Sequence, residues 1–288
     1  MAENLTTTVT SESKTVEIHR SNPTVIIGER INPTGRDNLL AELKEGKFDI
    51  VRSDAKKQVE AGAAILDVNA GVPGADEEPI LKEMIEILME VTDAPLCIDT
   101  ADNPALETAL STYKGKALIN SVNGEEARLE SVLPLVKEYE ASVIGLCMDD
   151  DGIPPTPQDR FQVAAKIIER ADKLGIPPKN IVIDPLALTM GSDHNAGRIA
   201  IETIELVVEE FGVNVTMGCS NISFGMPDRE HIDSTFIAMA ILAGMTCPIT
   251  NPLHEEVNLA VQAADLVMGR DEYGMNWIKS YRARQKEE

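Results

Sequence analysis

Polar side chains recur at the ends of short apolar runs along the whole chain, and nearly all of them are Asp or Asn. These residues are Asn32, Asp67, Asn69, Asp99, Asn120, Asp184, Asn221 and Asn251. A carboxylate accepts hydrogen bonds, whereas a carboxamide both accepts and donates them. No cluster of Lys or Arg accompanies the set. It therefore suits a flat, neutral heterocycle with several N–H donors better than a ligand rich in phosphate.

Two other interpretations of these polar residues remain open. Carboxylate oxygens also bind Mg²⁺ or Ca²⁺, although softer metals usually recruit His and none of these positions offers one. Asp99 and Asp184 could instead cap the helices that follow them, a role that suits Asp. Capping would explain single residues but not the recurrence of Asp and Asn at so many strand ends. Because no His accompanies them, we expect no metal site.

The elements that must position these side chains repeat along the chain as an apolar run followed by an amphipathic segment. The apolar runs are Val25–Gly28, Ala64–Val68, Leu96–Ile98, Ala117–Ile119, Ser142–Met148, Ile181–Ile183, Val213–Gly218 and Cys247–Ile249. Strands that alternate with helices predict a parallel sheet. Eight such units in 288 residues favour a closed (β/α)8 or TIM barrel, whose active site lies at the carboxyl ends of its strands.

The helical segments between the runs show apolar residues at spacings of three and four. We predict helices at Glu78–Val91, Pro104–Tyr113, Arg128–Tyr139, Gln158–Leu174, Ala196–Phe211, Ile232–Ala243 and Glu255–Met268. Asn103 before Pro104 is typical of an N-cap followed by Pro at the first helical position. Gly212 after Phe211 is typical of a helix end.

The two ends of the chain differ from this repeat. Residues 1–22 are polar and rich in Thr, Ser and Glu, and we expect an N-terminal extension there, either a loose arm or a short lead-in to the barrel. Residues 23–288 show no linker or break in composition, which predicts a single barrel domain. The last segment, Asp271–Glu288, is amphipathic and could either form a homodimer contact or close the bottom of the barrel.

Composition narrows the class of protein. The chain has 48 acidic against 26 basic residues, a formal charge of −22, which argues against a nucleic-acid binder with a basic surface. Its four cysteines stand in or beside apolar runs and form no CxxC pair, so we expect buried, reduced thiols. No secretory signal or membrane-length apolar run is present, and we expect a cytoplasmic protein.

Six segments carry a resemblance to a known family. They are VIIGERINPTG, ILDVNAG, LCIDT, ALINSVNG, VIDPL and MGCSNISFG. Together they resemble the pterin-binding methyltransferases, which include the methyltetrahydrofolate:corrinoid iron–sulfur protein methyltransferases and the related folate domain of cobalamin-dependent methionine synthase. The resemblance extends over nearly the whole chain from Val25 onward. It implies an enzyme that moves a methyl group between a corrinoid protein and N5 of tetrahydrofolate.

The resemblance also implies a role for individual residues. Asp99, Asn120 and Asp184 would bind the pyrimidine edge of the pterin, and Asn221 would lie near N5 as the catalytic residue. The full set of expected substrate-binding residues is Asp67, Asn69, Asp99, Asn120, Asp184, Gly218, Asn221 and Arg229. Asp67 and Asn69 would line the floor of the site or lie behind the residues that contact the pterin. Arg229 would meet the p-aminobenzoyl-glutamate tail, although the residue alone could equally be a solvated surface Arg.

The corrinoid is expected to arrive on a separate protein. The segment around His194 is similar to a corrinoid-binding D-x-H-x-x-G box, but Ser192 stands where the box needs Asp. Phe224 replaces a more polar residue of the iron–sulfur branch of the family. This difference favours a methylated corrinoid as the donor and tetrahydrofolate as the acceptor.

Two other functions fit part of the pattern. A dihydropteroate synthase would share the barrel and the pterin site, but its reaction expels diphosphate and calls for basic residues on the last two strands. Those strands end instead in Asn221 and Asn251. A folate-binding module without catalysis would use the same polar residues.

Overall fold

The computed structural model describes residues 2–285, and its strands form two sheets. The antiparallel hairpin consists of β1 (Thr7–Thr10) and β2 (Thr15–Ile18). The eight parallel strands are β3 (Ile27–Ile31), β4 (Ile65–Asn69), β5 (Leu96–Asp99), β6 (Leu118–Asn123), β7 (Ser142–Leu146), β8 (Ile181–Asp184), β9 (Asn214–Val215) and β10 (Ile249–Thr250). Their order in the sheet is β10-β3-β4-β5-β6-β7-β8-β9.

The two ends of this sheet meet and close it into a barrel. The backbone N–H of Ile249 donates to the carbonyl of Met217 across 2.8 Å, and Gly218 pairs with Ile249 in a parallel bridge. The predicted TIM-barrel class is therefore confirmed. β9 and β10 are shorter than the predicted strands. The chain leaves regular pairing near Met217 and forms a turn at the mouth, which is the end of the barrel where the carboxyl ends of the strands lie.

Ten helices lie between and after the strands in the described part of the chain. They are α1 (Asp37–Lys44), α2 (Asp49–Glu60), α3 (Glu77–Val91), α4 (Asn103–Thr112), α5 (Glu126–Glu138), α6 (Pro157–Lys173), α7 (Ala196–Phe211), α8 (Arg229–Ala243), α9 (Glu255–Val267) and α10 (Met275–Arg284). None of the helices in residues 2–285 combines the length and the apolar character that a bilayer span requires.

Helix ends confirm one prediction and correct another. Gly212 ends α7 in the left-handed conformation, with φ at 64°, as expected. The N-cap of α4 is Asp102 rather than Asn103, because the Asp102 carboxylate accepts a hydrogen bond of 2.8 Å from the backbone N–H of Ala105. Asn103 is the first helical residue instead.

The barrel interior is built from two stacked layers. The lower layer is apolar and consists of Ile27, Ile65, Cys97, Leu118, Ile144, Val182 and Cys247, all buried in one cluster. Residues two positions further along a strand share its face. The upper layer is therefore mostly polar, and its members at the mouth include Glu29, Asp67, Asp99, Asn120 and Asp184. The strand period thus places an apolar floor beneath a polar mouth.

The N-terminal hairpin covers the bottom of the barrel, so the expectation of a loose arm is wrong. Val9 and Ile18 are fully buried in the same cluster as the lower layer. Asn214 of β9 holds the hairpin through its side-chain N–H₂, which donates to the Leu5 carbonyl, the Thr7 hydroxyl and the Ile18 carbonyl at 2.9–3.1 Å. The hairpin therefore closes the bottom of the barrel, a role that the sequence analysis considered for the C-terminal segment.

All four cysteines are free and buried, as the sequence predicted. Burial raises the pKa of Cys97, Cys147, Cys219 and Cys247 above that of an ordinary thiol. They are therefore neutral thiols that pack as small apolar groups.

Candidate active site

Two hydrogen-bonded Asp–Asn pairs lie side by side in the mouth of the barrel. Nδ2 of Asn69 donates to Oδ2 of Asp99 across 3.0 Å, and Nδ2 of Asn120 donates to Oδ1 of Asp67 across 3.1 Å. In register, Asn69 is opposite Asp99, and Asp99 is opposite Asn120. The predicted residues of three neighbouring strands thus form one connected polar surface.

These pairs fix which atoms face a ligand. Because Asn120 turns its N–H₂ group to Asp67, its carbonyl oxygen points away from that carboxylate. Asp99 keeps its second oxygen, Oδ1, on the side away from the Asn69 amide. The mouth therefore presents acceptors beside a few donors, which matches a ring edge that carries several N–H groups.

Asp184 is a deeply buried acceptor of the mouth. The residue is only 6% exposed, and its Oδ1 accepts a hydrogen bond of 2.7 Å from the backbone N–H of Leu186. Burial raises the pKa of Asp184 to about 7, against the opposing effect of hydrogen bonds from the backbone of Leu186 and Gly218. The carboxyl group therefore changes its protonation near neutral pH and is poised to respond to a ligand that donates to it.

The charges of Asp67 and Asp99 are also costly in this buried position. Burial and then the neighbouring Asp99 raise the pKa of Asp67. Burial raises the pKa of Asp99 as well, while the hydrogen bond from Asn69 lowers it. A buried carboxylate is stable only when donors compensate its lost hydration. N–H groups of a ligand would supply such donors.

Asn221 stands on a short 3-10 turn, Cys219–Asn221, that follows β9. The residue is exposed at the mouth, and its backbone N–H donates to the carbonyl of Gly218 across 3.2 Å. A Cβ atom at Gly218 would lie 3.0 Å from Nδ2 of Asn221. The absence of a side chain at Gly218 therefore leaves room for the Asn221 amide.

Glu29 is a site residue that the sequence analysis did not select. The hydroxyl of Ser220 donates to its Oε1 across 2.8 Å, which joins β3 to the turn that carries Asn221. Burial raises the pKa of Glu29, and the Ser220 hydrogen bond opposes that rise. The two-residue strand period from Ile27, which faces the barrel interior, was the signal that could have identified it.

Arg229 is a partly buried and bonded residue, so the interpretation as a solvated surface Arg is wrong. Its Nη2 donates to the carbonyl of Ser220 across 2.7 Å, and its Nε donates to the hydroxyl of Ser223 across 2.9 Å. The guanidinium carbon lies 6.0 Å from the centre of the Phe224 ring, and Phe224 itself is 68% exposed. A contact between Arg229 and the tail of a folate stays a prediction.

The capping interpretation of Asp99 and Asp184 is wrong. The helix after Asp99 is capped by Asp102, and the helix after Asp184 begins only at Ala196 with Asn195 as its N-cap. Within residues 2–285, the structure holds no group of three or more His, Cys, Asp or Glu side chains arranged to bind a metal ion.

A closed α/β barrel with buried carboxylates and amides at the carboxyl ends of its strands defines a barrel enzyme that binds a neutral, donor-rich heterocycle. A family model described as pterin binding enzyme matches residues 28–251 of the chain. The chain belongs to this pterin-binding enzyme family.

Individual relatives agree with the family. The chain is 30% identical to the methylcorrinoid:tetrahydrofolate methyltransferase of Eubacterium limosum, over 90% of this chain and 96% of that protein. It is 31% identical to the methionine synthase of Mycobacterium tuberculosis over 79% of this chain, but only 20% of that longer protein. The chain thus spans nearly the full length of the first relative and about a fifth of the second.

Solved structures support the fold alone. Dihydropteroate synthase from Vibrio fischeri superposes with a TM-score of 0.67 at 18% identity, over 92% of this chain and 99% of that one. Dihydropteroate synthase from Thermus thermophilus gives a TM-score of 0.68 at 19% identity, over 90% and 99%. At this identity the similarity confirms the barrel and does not favour the synthase activity.

Proposed function

We propose that this chain is a methyltransferase that moves a methyl group from a methylated corrinoid to N5 of tetrahydrofolate. The observation that carries the proposal is the pairing of the polar mouth, built from Asp and Asn side chains, with the Asn221 turn beside it. The relative that the chain matches over 96% of its length is itself a methylcorrinoid:tetrahydrofolate methyltransferase. Neither observation favours a non-catalytic folate module.

The pyrimidine edge of the pterin would bind at Asp99, Asn120 and Asp184. Its exocyclic amine and ring N–H groups are donors, and the two carboxylates are acceptors held in place by Asn69 and by backbone N–H groups. Asn120 can both donate and accept, so it suits the carbonyl and the adjacent N–H of the ring. Asp67 orients Asn120 from below.

Methyl transfer in this direction needs an acceptor at N5. The N5 lone pair attacks the methyl carbon, the carbon–cobalt bond breaks, and both of its electrons stay on cobalt as cob(I)alamin. N5 then carries a positive charge until its proton leaves to solvent. The Asn221 carbonyl oxygen would accept a hydrogen bond from that N–H, and the bond strengthens as charge develops. The reverse reaction would use the same contact.

The remaining site residues have supporting roles in this proposal. Gly218 leaves space for the Asn221 amide and donates its N–H to Asp184. Asn69 orients Asp99. Arg229 lies beside the mouth with a guanidinium whose charge suits the carboxylates of the glutamate tail.

The corrinoid would be a substrate delivered by a partner protein that docks at the mouth. Phe224 is largely exposed there, next to the turn of Asn221. A flat aromatic side chain suits the broad apolar face of a corrin better than a polar side chain does. This position therefore supports a corrin docked at the mouth.

We further propose a cytoplasmic homodimer. Large apolar side chains are exposed on the outer faces of α8, α9 and α10 and on the short link before α10. They include Met239, Leu242, Val267, Tyr273, Met275 and Tyr281. An apolar surface of this kind suits a second copy of the chain. The four free thiols fit a reducing compartment.

Anaerobic mixing of the purified protein with methylcob(III)alamin and tetrahydrofolate tests the function. We expect cob(I)alamin and methyltetrahydrofolate to form in equal amounts, and Asn221→Ala to lower turnover about a hundredfold. Asn276→Ala, at an exposed residue of α10, is the matched control. Folate binding without any methyl transfer would identify a binding module and overturn the proposal.

A further inference from the structure

The turn that carries Asn221 is held from two sides by side chains that converge on its neighbour, Ser220. We propose that Glu29 is a positioning residue that fixes the Asn221 amide through Ser220. This inference rests on the proposed function, because the amide it positions is the group assigned to N5. It gives a role to a carboxylate that the folate contacts leave unused.

The geometry of Ser220 is the first argument. Its hydroxyl donates to Oε1 of Glu29 across 2.8 Å, and its carbonyl accepts from Nη2 of Arg229 across 2.7 Å. Glu29 lies on β3 and Arg229 at the start of α8. One residue of the turn is therefore fixed by two separate elements, and the next residue is Asn221.

The shortness and exposure of the turn form the second argument. It has three residues in 3-10 conformation, and Asn221 is exposed, so little packing fixes the catalytic amide. The backbone of Asn221 is bonded only to nearby residues, Gly218 and Phe224, and the hydrogen bonds at Ser220 tie the turn to β3 and α8. A misplacement of about 1 Å at a reacting centre can reduce a rate about a hundredfold.

The surroundings of the turn supply the third argument. Asp233 of α8 is buried, and its Oδ1 has no hydrogen-bond partner in the structure. Its charge raises the pKa of Glu29, after the larger effect of burial, while Arg229 opposes that rise. Two carboxylates and one guanidinium thus surround Ser220 and Ser223, although apolar side chains could pack in this space without such a desolvation cost. An ionic cluster here is better explained by control of the turn than by stability.

Substitutions at Glu29 and Ser220 test the proposal by separating binding from turnover. Glu29→Ala and Ser220→Ala should each lower kcat about tenfold or more. The Kd for tetrahydrofolate should stay close to that of the unchanged protein, because the pyrimidine edge is held elsewhere. Glu29→Gln keeps an oxygen that accepts from Ser220 and should recover most of kcat. Glu83→Gln, at an exposed residue of α3, is the matched control.

A double variant checks that Glu29 acts through Asn221. In an Asn221→Ala background, Glu29→Ala should cause no further loss of kcat, since the positioned group is gone. Losses that add, or a Kd for tetrahydrofolate that rises in step with the loss of kcat, would overturn the proposal. Additive losses indicate that Glu29 acts independently of Asn221.

A measurement without turnover separates this inference from the proposed function. The side-chain amide signal of Asn221 in a proton–nitrogen spectrum can be assigned by its loss in Asn221→Ala. It should shift or broaden in Glu29→Ala and remain in place in Glu83→Gln. If the unchanged protein transfers no methyl group but the signal moves, the function fails while the positioning contact stands. An unmoved signal in Glu29→Ala overturns the positioning contact itself.

Discussion

Asn120 of β6 donates its Nδ2 hydrogen bond to Oδ1 of Asp67 on β4, across the intervening strand β5. The 3.1 Å contact makes Asp67 the residue that decides which side of the Asn120 amide faces the mouth. A buried side chain thus controls which hydrogen-bonding groups Asn120 presents to the pterin in the proposed function.

Replacement of Asp67 by Ala should therefore weaken tetrahydrofolate binding. Loss of the contact lets the Asn120 amide rotate, and the expected cost is about 1 kcal/mol, or roughly a fivefold to tenfold rise in Kd. Calorimetric titration measures this change. Asp93→Ala, which removes a surface carboxylate paired with Lys14, should leave Kd unchanged. Equal Kd values for the two variants would contradict the role of Asp67.

Folate binding should depend on pH through Asp184. Burial raises the pKa of this carboxyl to about 7, so the free site is increasingly protonated below that pH. N–H donors of the ligand favour the ionised form, and affinity should fall as the pH drops below about 7. Titration in buffers of different ionisation enthalpy should show proton release on binding, and Asp184→Asn should reduce it, leaving the part that Asp67 and Asp99 contribute. A proton uptake on binding would contradict this assignment.

The raised pKa of Asp184 also predicts how the stability of the protein without ligand depends on pH. Between an unfolded pKa of about 4 and the folded value of about 7, the folded state binds more protons at Asp184 than the unfolded state does. This contribution to stability is full below the unfolded pKa and is lost as pH rises through the folded pKa. Urea unfolding at several pH values should show a steeper decline for the unchanged protein than for Asp184→Asn.

Gly218→Ala should impair turnover more than folding. The added Cβ would lie 3.0 Å from Nδ2 of Asn221, so the exposed amide has to move. We expect kcat to fall about tenfold or more, with the folded state retained. Gly197→Ala in α7 places its Cβ at ordinary contact distances and is the matched control. An unchanged kcat in Gly218→Ala would show that the position of the amide is unimportant.

The hairpin should contribute measurably to stability. Asn214 is 2% exposed and donates to three acceptors of the N-terminal segment. Asn214→Ala leaves those acceptors unpaired in the interior, and the free energy of unfolding should fall by about 2 kcal/mol. Urea denaturation checks this value against Asn276→Ala. A loss no larger than in the control would show that the hairpin is loosely held.

Particular residues show what the sequence could and could not predict. Asp99 and Asp184 end strands that are apolar throughout, so their position at the mouth follows from strand length alone. Glu29 lies within Ile27–Ile31, where the register with β4 shifts after Gly28. The strand period still places Glu29 on the interior face with Ile27, whereas its contact with Ser220, 191 residues further along the chain, is one that the residue pattern does not reveal.

Contacts between side chains and backbone carbonyls, and contacts between distant segments, were also beyond prediction. Arg229 binds the carbonyl of Ser220, and a carbonyl has no signature in the sequence. The hairpin has only a few apolar residues, and Val9 and Ile18 become core residues because the barrel bottom supplies their partners. Local polarity indicated a loose segment, whereas tertiary packing decided the outcome.

The most direct test of the account is calorimetric titration with tetrahydrofolate, since every proposed step requires the pterin in the mouth. The unchanged protein should bind one folate per chain, and Asp184→Ala should lose most of this affinity while it still unfolds cooperatively in urea. Failure of the unchanged, folded protein to bind either tetrahydrofolate or methyltetrahydrofolate would contradict the central claim. The polar mouth would then need another heterocycle as its ligand.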